Sequence, residues 1–319
     1  MTAVSVYPYR FLPVYKEKIW GSRGLERLFG RELPARALIG ESWELADLPE
    51  GESLVAEGPD AGRSLNALLA EKGRDILGDT PPPADGRFPL LLKLLSADDI
   101  LSLQVHPDEQ AAKALGPPAA PKTECWYVLE SRGGYILKGV RPGVTEQAFR
   151  RALSGGDEAE ALTGLVQRFE VKAGDFHYLP AGTLHALGPG VVVAEVQTPS
   201  DTTYRVSDWG RGRETHVAQA LRCIHFAPAP EPPGAAGEVL VRTPYFAVRR
   251  VVQKPGEQPL RGGGCVAWMV LAGRGSLSGD DGPAARLGPG ETVLIPAGVR
   301  NPTWTVEAGM TILEVLLPA

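Results

Sequence analysis

Cysteine and histidine are scarce in this chain of 319 residues, which contains 3 and 5 of them, respectively. The cysteines, Cys125, Cys223 and Cys265, lie far apart in the sequence and form no CxxC pair, so neither a thiolate zinc site nor a disulfide framework is indicated. We therefore expect reduced thiols in the core of a cytoplasmic protein. No apolar run reaches the roughly 18 residues of a membrane span, and the first residues lack the apolar centre of a signal peptide. The sequence predicts a protein without a membrane partner.

Blocks of positive charge are also missing. No run of Lys or Arg is longer than two residues, and 33 Lys and Arg against 38 Asp and Glu give a net charge of −5. This pattern argues against a nucleic-acid-binding surface. Any phosphate that the protein binds is expected to be a single small one.

Glycine and proline are abundant, with 38 and 29 residues, or about a fifth of the chain against about 12% on average. They show no triplet period, and 43% hydrophobic residues argue against disorder. A globular chain with many tight turns and short strands is indicated. At roughly 100–200 residues per domain, the length predicts two domains.

Two segments have the periodicity of helices. Residues 64–77 place apolar side chains on one face behind Ser64, and residues 145–166 form a second helical patch. The runs ECWYVLES and YILKGV are predicted as a hairpin around Ser131–Gly134. Residues 227–237, APAPEPPGAAG, are a candidate linker, and strands and turns follow it.

An internal repeat joins the two strand-rich parts. The frame Gly, five residues, Pro-x-Gly occurs at Gly174 and again at Gly290, 116 residues later. Each frame is followed by two further residues and then by His185 in the first copy and Asn301 in the second. We predict a strand, a tight turn and a returning strand in each copy.

Few side chains are available for a metal site. His106 ends a predicted strand, Gln104 points the same way two residues earlier, Glu124 begins the next strand, and His185 follows the repeated turn. Two imidazoles, a carboxylate and a carboxamide oxygen suit zinc or another borderline divalent ion. On spacing alone, a hydrogen-bonded structural histidine is the more common alternative.

The first repeat resembles the second signature of the cupin barrels. More narrowly, the chain resembles the type I mannose-6-phosphate isomerases, in their short bacterial form. The matching segments are YRFLPVYKEKIWG from Tyr9, IGESWELA from Ile39, FPLLLKLLSADDILSLQVHPDE from Phe88, KTECWYVLE from Lys122, LPAGTLHALGPG from Leu179 and EVQTPSDTTYRVSDWGR from Glu195. The QVH sequence and the long insertion before Glu124, which depart from other cupins, are shared with these isomerases.

This resemblance implies a mainly β fold of two cupin-type jelly-roll barrels with a small helical insertion. Residues 1–226 would form the catalytic, metal-binding domain, and residues 238–319 a second barrel. The segment GGGCVAWMVLAGRGSLSG of that second barrel contains no histidine or acidic residue, and Asn301 replaces the histidine. We therefore expect a structural or substrate-closing barrel without a metal.

The resemblance also implies a function, the interconversion of mannose 6-phosphate and fructose 6-phosphate through a metal-stabilised enediol, with one zinc ion per chain. His106, Glu124 and His185 match the metal-binding positions. Gln104 matches the glutamine that completes the site in longer members. Arg205 matches the active-site arginine, and Lys122 a lysine implicated in substrate binding or proton movement.

The general base stays open between Lys122, Glu195 and His177. Ser102 and Glu195 are candidate substrate-binding residues. The simpler interpretations are that Lys122 pairs with Glu124, that Glu195 orients a ligand histidine, and that His177 and Ser102 have only structural or surface roles. A sugar-phosphate-binding cupin without catalysis, or a metal-dependent cupin acting on another phosphosugar, is the alternative function.

Overall fold

Strands dominate the computed structural model, which describes residues 5–81, 83, 85–154, 158–228, 230–258, 260 and 264–318. The strands are β1 (Tyr9–Leu12), β2 (Val14–Ser22), β3 (Ile39–Leu45), β4 (Asp47–Leu48), β5 (Gly51–Glu52), β6 (Leu54–Val55), β7 (Leu91–Ala97), β8 (Leu103–Val105), β9 (Glu124–Ser131), β10 (Tyr135–Val140), β11 (Val166–Glu170), β12 (Phe176–Leu179), β13 (His185–Leu187), β14 (Val191–Gln197), β15 (Tyr204–Ser207), β16 (Val239–Arg242), β17 (Ala247–Gln253), β18 (Gly256–Gln258), β19 (Val266–Ser278), β20 (Ala285–Leu287), β21 (Thr292–Ile295) and β22 (Thr303–Leu316). The helices are α1 (Gly24–Phe29), α2 (Leu65–Leu77), α3 (Glu109–Leu115), α4 (Glu146–Leu153), α5 (Glu158–Thr163) and α6 (Val217–Cys223).

Antiparallel sheets build two barrels. A six-stranded sheet has the order β12-β9-β14-β7-β2-β3, and a five-stranded sheet has the order β11-β10-β13-β8-β15. A nine-stranded sheet contains the strands from β16 onwards together with β1 and β6. The predicted mainly β fold of two cupin-type barrels is confirmed.

Side chains on the six-stranded sheet alternate between two apolar cores. On β9, Trp126 and Val128 join the interior of the first barrel, where they meet Ile136 and Leu187 of the five-stranded sheet. The residues between them face the other way, because successive side chains of a strand point to opposite faces. Tyr127, for example, packs in the core shared with the second barrel, together with Cys125, Ala194, Ala267, Met269 and Leu313.

Helices cover the outer face of the five-stranded sheet. Phe149 of α4 and Leu162 of α5 pack with side chains of β8, β10 and β13. Thr145 caps α4, and Ser64 caps α2 by accepting a hydrogen bond from the amide of Ala67 at 3.2 Å. The predicted helical patch at 145–166 thus corresponds to α4 and α5, and residues 155–157 lie outside the described ranges.

The first strand crosses the expected division between the domains. Tyr9 of β1 pairs with Leu294 of β21, and Phe11 pairs with Val55 of β6. Strand β1 therefore extends the sheet of the C-terminal strands, although β2 follows it directly in the first barrel. The N-terminal residues join the two barrels through backbone hydrogen bonds.

The predicted hairpin of β9 and β10 is wrong. Strand β9 pairs with β12 and β14, whereas β10 pairs with β11 and β13 in the other sheet. The turn after Ser131 carries the chain from one sheet of the barrel to the other. Turn residues indicate a reversal of the chain, but the faces that must be buried select the partner strand.

The turn at Pro180–Gly182 also connects the two sheets, since β12 and β13 pair with different neighbours. Gly182 has a φ of 84°, and its amide donates a hydrogen bond to the carbonyl of His106 at 2.9 Å. A Cβ at Gly182 would lie 2.4 Å from Nδ1 of His225. The turn therefore requires glycine twice, for its backbone conformation and for its close packing.

The three thiols are buried and free, as expected from their spacing. No helix within the described ranges is both long enough and apolar enough to cross a membrane.

The change Gly182→Ala is expected to destabilise the protein more than Gly174→Ala. Both glycines have positive φ values, 84° and 95°, which cost an alanine about 1–2 kcal/mol. At Gly174 the nearest atom to an added Cβ is 3.9 Å away, so only Gly182→Ala adds a steric clash. Thermal unfolding of the two variants checks this. Equal losses in melting temperature would contradict the packing argument.

Candidate metal and substrate site

Three buried side chains converge at one end of the first barrel. His106 follows β8, Glu124 begins β9, and His185 begins β13. Nε2 of His106 lies 3.3 Å from Oε2 of Glu124, and Nε2 of His185 lies 3.2 Å from Oε1. All three residues are at most 2% exposed, and their candidate ligand atoms lie within 4.8 Å of one another. The set fits a divalent ion with mixed nitrogen and oxygen ligands.

Each imidazole is oriented by a hydrogen bond from its Nδ1 to a backbone carbonyl. Nδ1 of His106 donates to the carbonyl of Thr202 at 2.9 Å, and Nδ1 of His185 donates to the carbonyl of Thr183 at 2.8 Å. Each ring therefore turns the lone pair of Nε2 toward Glu124, as in histidines that bind metals. Nε2 of His106 and both carboxylate oxygens of Glu124 lack a hydrogen bond of normal geometry within the described part of the chain.

The protonation states also suit a metal. Burial lowers the pKa of His106 to about 3, and the ammonium of Lys122 acts in the same direction. Burial lowers the pKa of His185 as well. Burial alone would raise the pKa of Glu124, but Lys122 and the imidazoles lower it well below its ordinary range. Two neutral imidazoles and an ionised carboxylate are the forms that bind a cation.

Gln104 lies beside this group. It is paired with His185 on β13 and with Arg205 on β15. Its Nε2 is 3.3 Å from Nε2 of His185, and its Oε1 accepts a hydrogen bond from the hydroxyl of Ser102 at 3.1 Å. In this orientation the amide nitrogen, not the amide oxygen, faces the histidine. If the amide group of Gln104 were rotated so that its oxygen and nitrogen exchanged places, Oε1 would face His185 as a further candidate ligand.

A polar cavity of about 140 Å³ opens beside the three-residue group. Its walls carry five basic and three acidic side chains, namely Lys18, Lys93, Lys122, Arg205 and Arg213 against Glu41, Glu195 and Asp201. Ser102, Gln104 and Trp126 also line it. The excess of positive charge suits a small anion.

Lys122 and Arg205 bring positive charge to this cavity in different ways. Lys122 is 4% exposed, and its Nζ lies 2.9 Å from Oε2 of Glu124, so the suggested pair with Glu124 is present. Nε of Arg205 is buried and makes no hydrogen bond within the described residues. Burial lowers the pKa of Arg205, and nearby Arg213 adds to this effect. Arg213 itself pairs with Asp208.

A buried network surrounds Glu195 on β14. Oε2 accepts a hydrogen bond from Nε1 of Trp126 at 2.7 Å, and Nζ of Lys93 lies 3.4 Å from Oε1. Nζ of Lys93 is also 3.5 Å from Oε2 of Glu41. Burial raises the pKa of Glu195, and the charge of Glu124 raises it further while Lys93 opposes both. Oε1 of Glu195 makes no hydrogen bond of normal geometry among the described residues.

Sequence reasoning missed Lys93, Glu41 and Arg213 in this cavity. The signal for Lys93 was a single charge inside the apolar run FPLLLKLL, which is unusual for a buried strand. Arg213 lies after the last quoted motif, and nothing in its local sequence distinguishes it from a surface arginine. Glu41 belongs to the segment IGESWELA, which matched the family, but the sequence indicated no role for this residue.

The remaining histidines lie outside the cavity lining. His177 lies on β12, where it is paired with Trp126 of β9, and its ring lies near that of Phe169. Burial lowers the pKa of His177 to about 4. His225 pairs with Asp108 at 3.0 Å. Nδ1 of His216 accepts a hydrogen bond from the backbone amide of Arg205 at 3.3 Å. Of the three candidate bases, Lys122 and Glu195 are at the cavity, and His177 is not among its lining residues.

The comparisons with known proteins agree with this geometry. A family model described as phosphomannose isomerase type I, catalytic domain, matches residues 9–132. The solved structure of the mannose 6-phosphate isomerase from Bacillus subtilis is similar with a TM-score of 0.83 at 32% identity, over 98% of this chain and 100% of that one. A zinc-bound mannose 6-phosphate isomerase shares the fold, with a TM-score of 0.79 at 19% identity.

Similarity to curated proteins extends over nearly the full chain. A mannose-6-phosphate isomerase of Streptococcus mutans is 34% identical over 93% of this chain and 94% of its own length. The putative mannose-6-phosphate isomerase YvyI of Bacillus subtilis is 32% identical over 96% of this chain and 98% of its own. With matches of this identity and extent, the resemblance seen in the motifs is confirmed, and the chain belongs to the type I mannose-6-phosphate isomerase family.

Proposed function

We propose that this protein interconverts mannose 6-phosphate and fructose 6-phosphate, with one zinc ion held by His106, Glu124 and His185. The observation that carries this proposal is the buried group itself, whose Nε2 atoms and carboxylate oxygens face one another beside a basic cavity. Gln104 is the proposed fourth ligand. Relatives named mannose-6-phosphate isomerase support the choice of reaction and of phosphosugar.

The reaction moves a proton between C1 and C2 of the sugar through an enediol, and negative charge develops on the carbonyl oxygen. When bound, zinc supplies a Lewis acid that polarises this oxygen and orients the substrate. Arg205 lines the cavity, and its Nε makes no hydrogen bond within the described residues, so it is placed to balance the charge of the enediolate or of the phosphate. Ser102 remains a proposed substrate contact.

Lys122 and Glu195 are the proposed proton-transfer residues. Lys122 is held beside Glu124 at the cavity wall. Glu195 has one oxygen held by Trp126, and the other makes no hydrogen bond of normal geometry and lies 3.4 Å from Nζ of Lys93. Burial raises the pKa of this carboxyl, which favours its acting as a proton acceptor. Glu195 therefore fits the role of general base better than His177 does. The buried free thiols fit the proposed cytoplasmic location.

Removal of the metal is expected to abolish turnover. Dialysis against a chelator should leave a protein without isomerase activity, because the site would lose its Lewis acid. Addition of zinc should restore the activity at about one ion per chain. Activity assays with mannose 6-phosphate and metal analysis on the same sample measure this. Undiminished turnover by fully metal-free protein would contradict the mechanism.

The two barrels are expected to differ in metal binding. The change His185→Ala removes one of the four proposed ligands, so bound zinc should fall from about one per chain to well below it. The change Asn301→Ala, at the corresponding position of the second barrel, should leave the zinc content unchanged. Metal analysis after gel filtration measures both variants. Equal zinc content in the two would refute the assignment of the site to the first barrel.

The change Arg205→Met is expected to lower kcat by about 100-fold or more, because the charge that develops in the transition state loses its partner. Zinc content should stay near that of the wild-type protein. The same change at Arg274, which is exposed on β19, serves as the control and should leave kcat unchanged. A protein that binds the phosphosugar without turning it over would show no such difference between the variants.

A further inference from the structure

Both barrels contain the same arrangement of a tryptophan, a glutamate and a basic side chain. In the first barrel, Trp126 of β9 is directly opposite Glu195 of β14, which is opposite Lys93 of β7. In the second barrel, Trp268 of β19 is opposite Glu314 of β22, which is opposite Arg249 of β17. The three strands have corresponding order and register in the two sheets.

The hydrogen bond between indole and carboxylate is also repeated. Nε1 of Trp126 donates to Oε2 of Glu195 at 2.7 Å, and Nε1 of Trp268 donates to Oε2 of Glu314 at 3.3 Å. Both glutamates are buried, at 3% and 7% exposure. Asn301 stands at the position of His185, and the described residues show no second group of metal-ligating side chains beside this pair.

The two copies differ at the other carboxylate oxygen. In the second barrel, Oε1 of Glu314 accepts a hydrogen bond from Nη1 of Arg249 at 2.9 Å. The same guanidinium also donates from Nη2 to Oε2 of Glu238 at 2.6 Å. In the first barrel, Nζ of Lys93 lies at the longer distances of 3.4 Å from Oε1 of Glu195 and 3.5 Å from Oε2 of Glu41. Oε1 of Glu195 is therefore left without a hydrogen bond of normal geometry at the cavity wall.

The Trp126 ring also contacts the metal-binding group. It packs edge-on against the ring of His185, with the centroids 5.5 Å apart. In the second barrel, Trp268 has the same kind of contact with another indole, that of Trp304, at 5.0 Å. One side chain of the first barrel thus contacts both His185 and Glu195.

We propose that Trp126 is a positioning residue for the isomerisation. Its N–H holds Oε2 of Glu195, so that Oε1 stays directed to the substrate, and its ring fixes His185 relative to that carboxylate. This inference rests on the proposed function, in which Glu195 exchanges the proton. The indole–carboxylate pair is common to both barrels, and in the first barrel it would also serve catalysis.

The test is the matched pair Trp126→Phe and Trp268→Phe, each of which keeps an aromatic ring and removes the N–H. For Trp126→Phe we expect kcat to fall roughly 10- to 100-fold, the usual effect of losing a hydrogen bond to a charged group. KM should change much less, and zinc content should stay near one per chain. Trp268→Phe should leave kcat and KM unchanged.

A double-mutant cycle separates positioning from a general structural effect. If Trp126 acts through Glu195, then Trp126→Phe should lower kcat much less in a Glu195→Gln background than in the wild-type protein. Multiplicative losses in the two backgrounds would overturn the proposal. So would a similar loss of kcat in Trp268→Phe, or loss of zinc from Trp126→Phe.

NMR of the indole N–H groups gives a readout that does not need turnover. The signal missing in Trp126→Phe identifies the Trp126 indole, and Glu195→Gln should shift this signal while leaving that of Trp268 in place. An unshifted signal would exclude the hydrogen bond. If the wild-type protein with zinc does not convert mannose 6-phosphate, the proposed reaction fails, and the NMR result still decides whether Trp126 holds Glu195.

Discussion

The buried carboxylate of Glu124 is the constraint on which the first barrel depends. A charge that is 1% exposed is costly unless other groups compensate it. Burial favours the neutral form of both neighbouring imidazoles, and among the described residues the ion pair of Glu124 with a basic side chain is with Lys122, at 2.9 Å. Both oxygens nevertheless lack hydrogen bonds of normal geometry among the described residues. A divalent ion would satisfy these atoms together with Nε2 of His106, which explains why the barrel can tolerate so polar a centre.

The strands that carry these groups serve two cores at once. On β14, Ala194 and Val196 face the core between the barrels, while Glu195 lies between them on the opposite face, inside the first barrel. Strand β7 has the same alternation, with Leu92 and Leu94 on either side of Lys93. The apolar contact with the second barrel thus fixes the strands whose other faces carry the polar groups. This gives the second barrel a structural role in positioning the site, although His106, Glu124 and His185 all belong to the first barrel.

The family motifs pointed to the three candidate metal ligands, although spacing alone favoured structural histidines, and local sequence was insufficient for much of the cavity. His106, Glu124 and His185 stood at strand ends and in a recognisable turn, and α2 was evident from its period and its Ser64 cap. Lys93, Glu41 and Arg213 are brought together by pairings between distant strands, which no local pattern encodes. The incorrect hairpin of β9 and β10 has the same origin, because a turn signal does not specify which sheet receives the returning strand. Likewise, the pairing of β1 with β21 depends on the docking of the two barrels.

Comparison of the barrels separates what the fold needs from what the chemistry needs. The second barrel keeps the repeated turn, the strand register and the buried indole–carboxylate pair, but Asn301 stands where the first has His185. Folding accounts for the features that the second barrel retains. The turn redirects the chain, and the indole–carboxylate pair gives two buried polar groups a hydrogen-bond partner. The arginine that completes this pair in the second barrel is a lysine in the first. Because a guanidinium has a planar fork of donors, Arg249 bonds both Glu314 and Glu238, whereas the compact ammonium of Lys93 lies 3.5 Å from Glu41 and 3.4 Å from Glu195. Oε1 of Glu195 is thereby left without a hydrogen bond of normal geometry. The chemical difference between the barrels therefore includes this basic residue as well as the residues that could hold a metal.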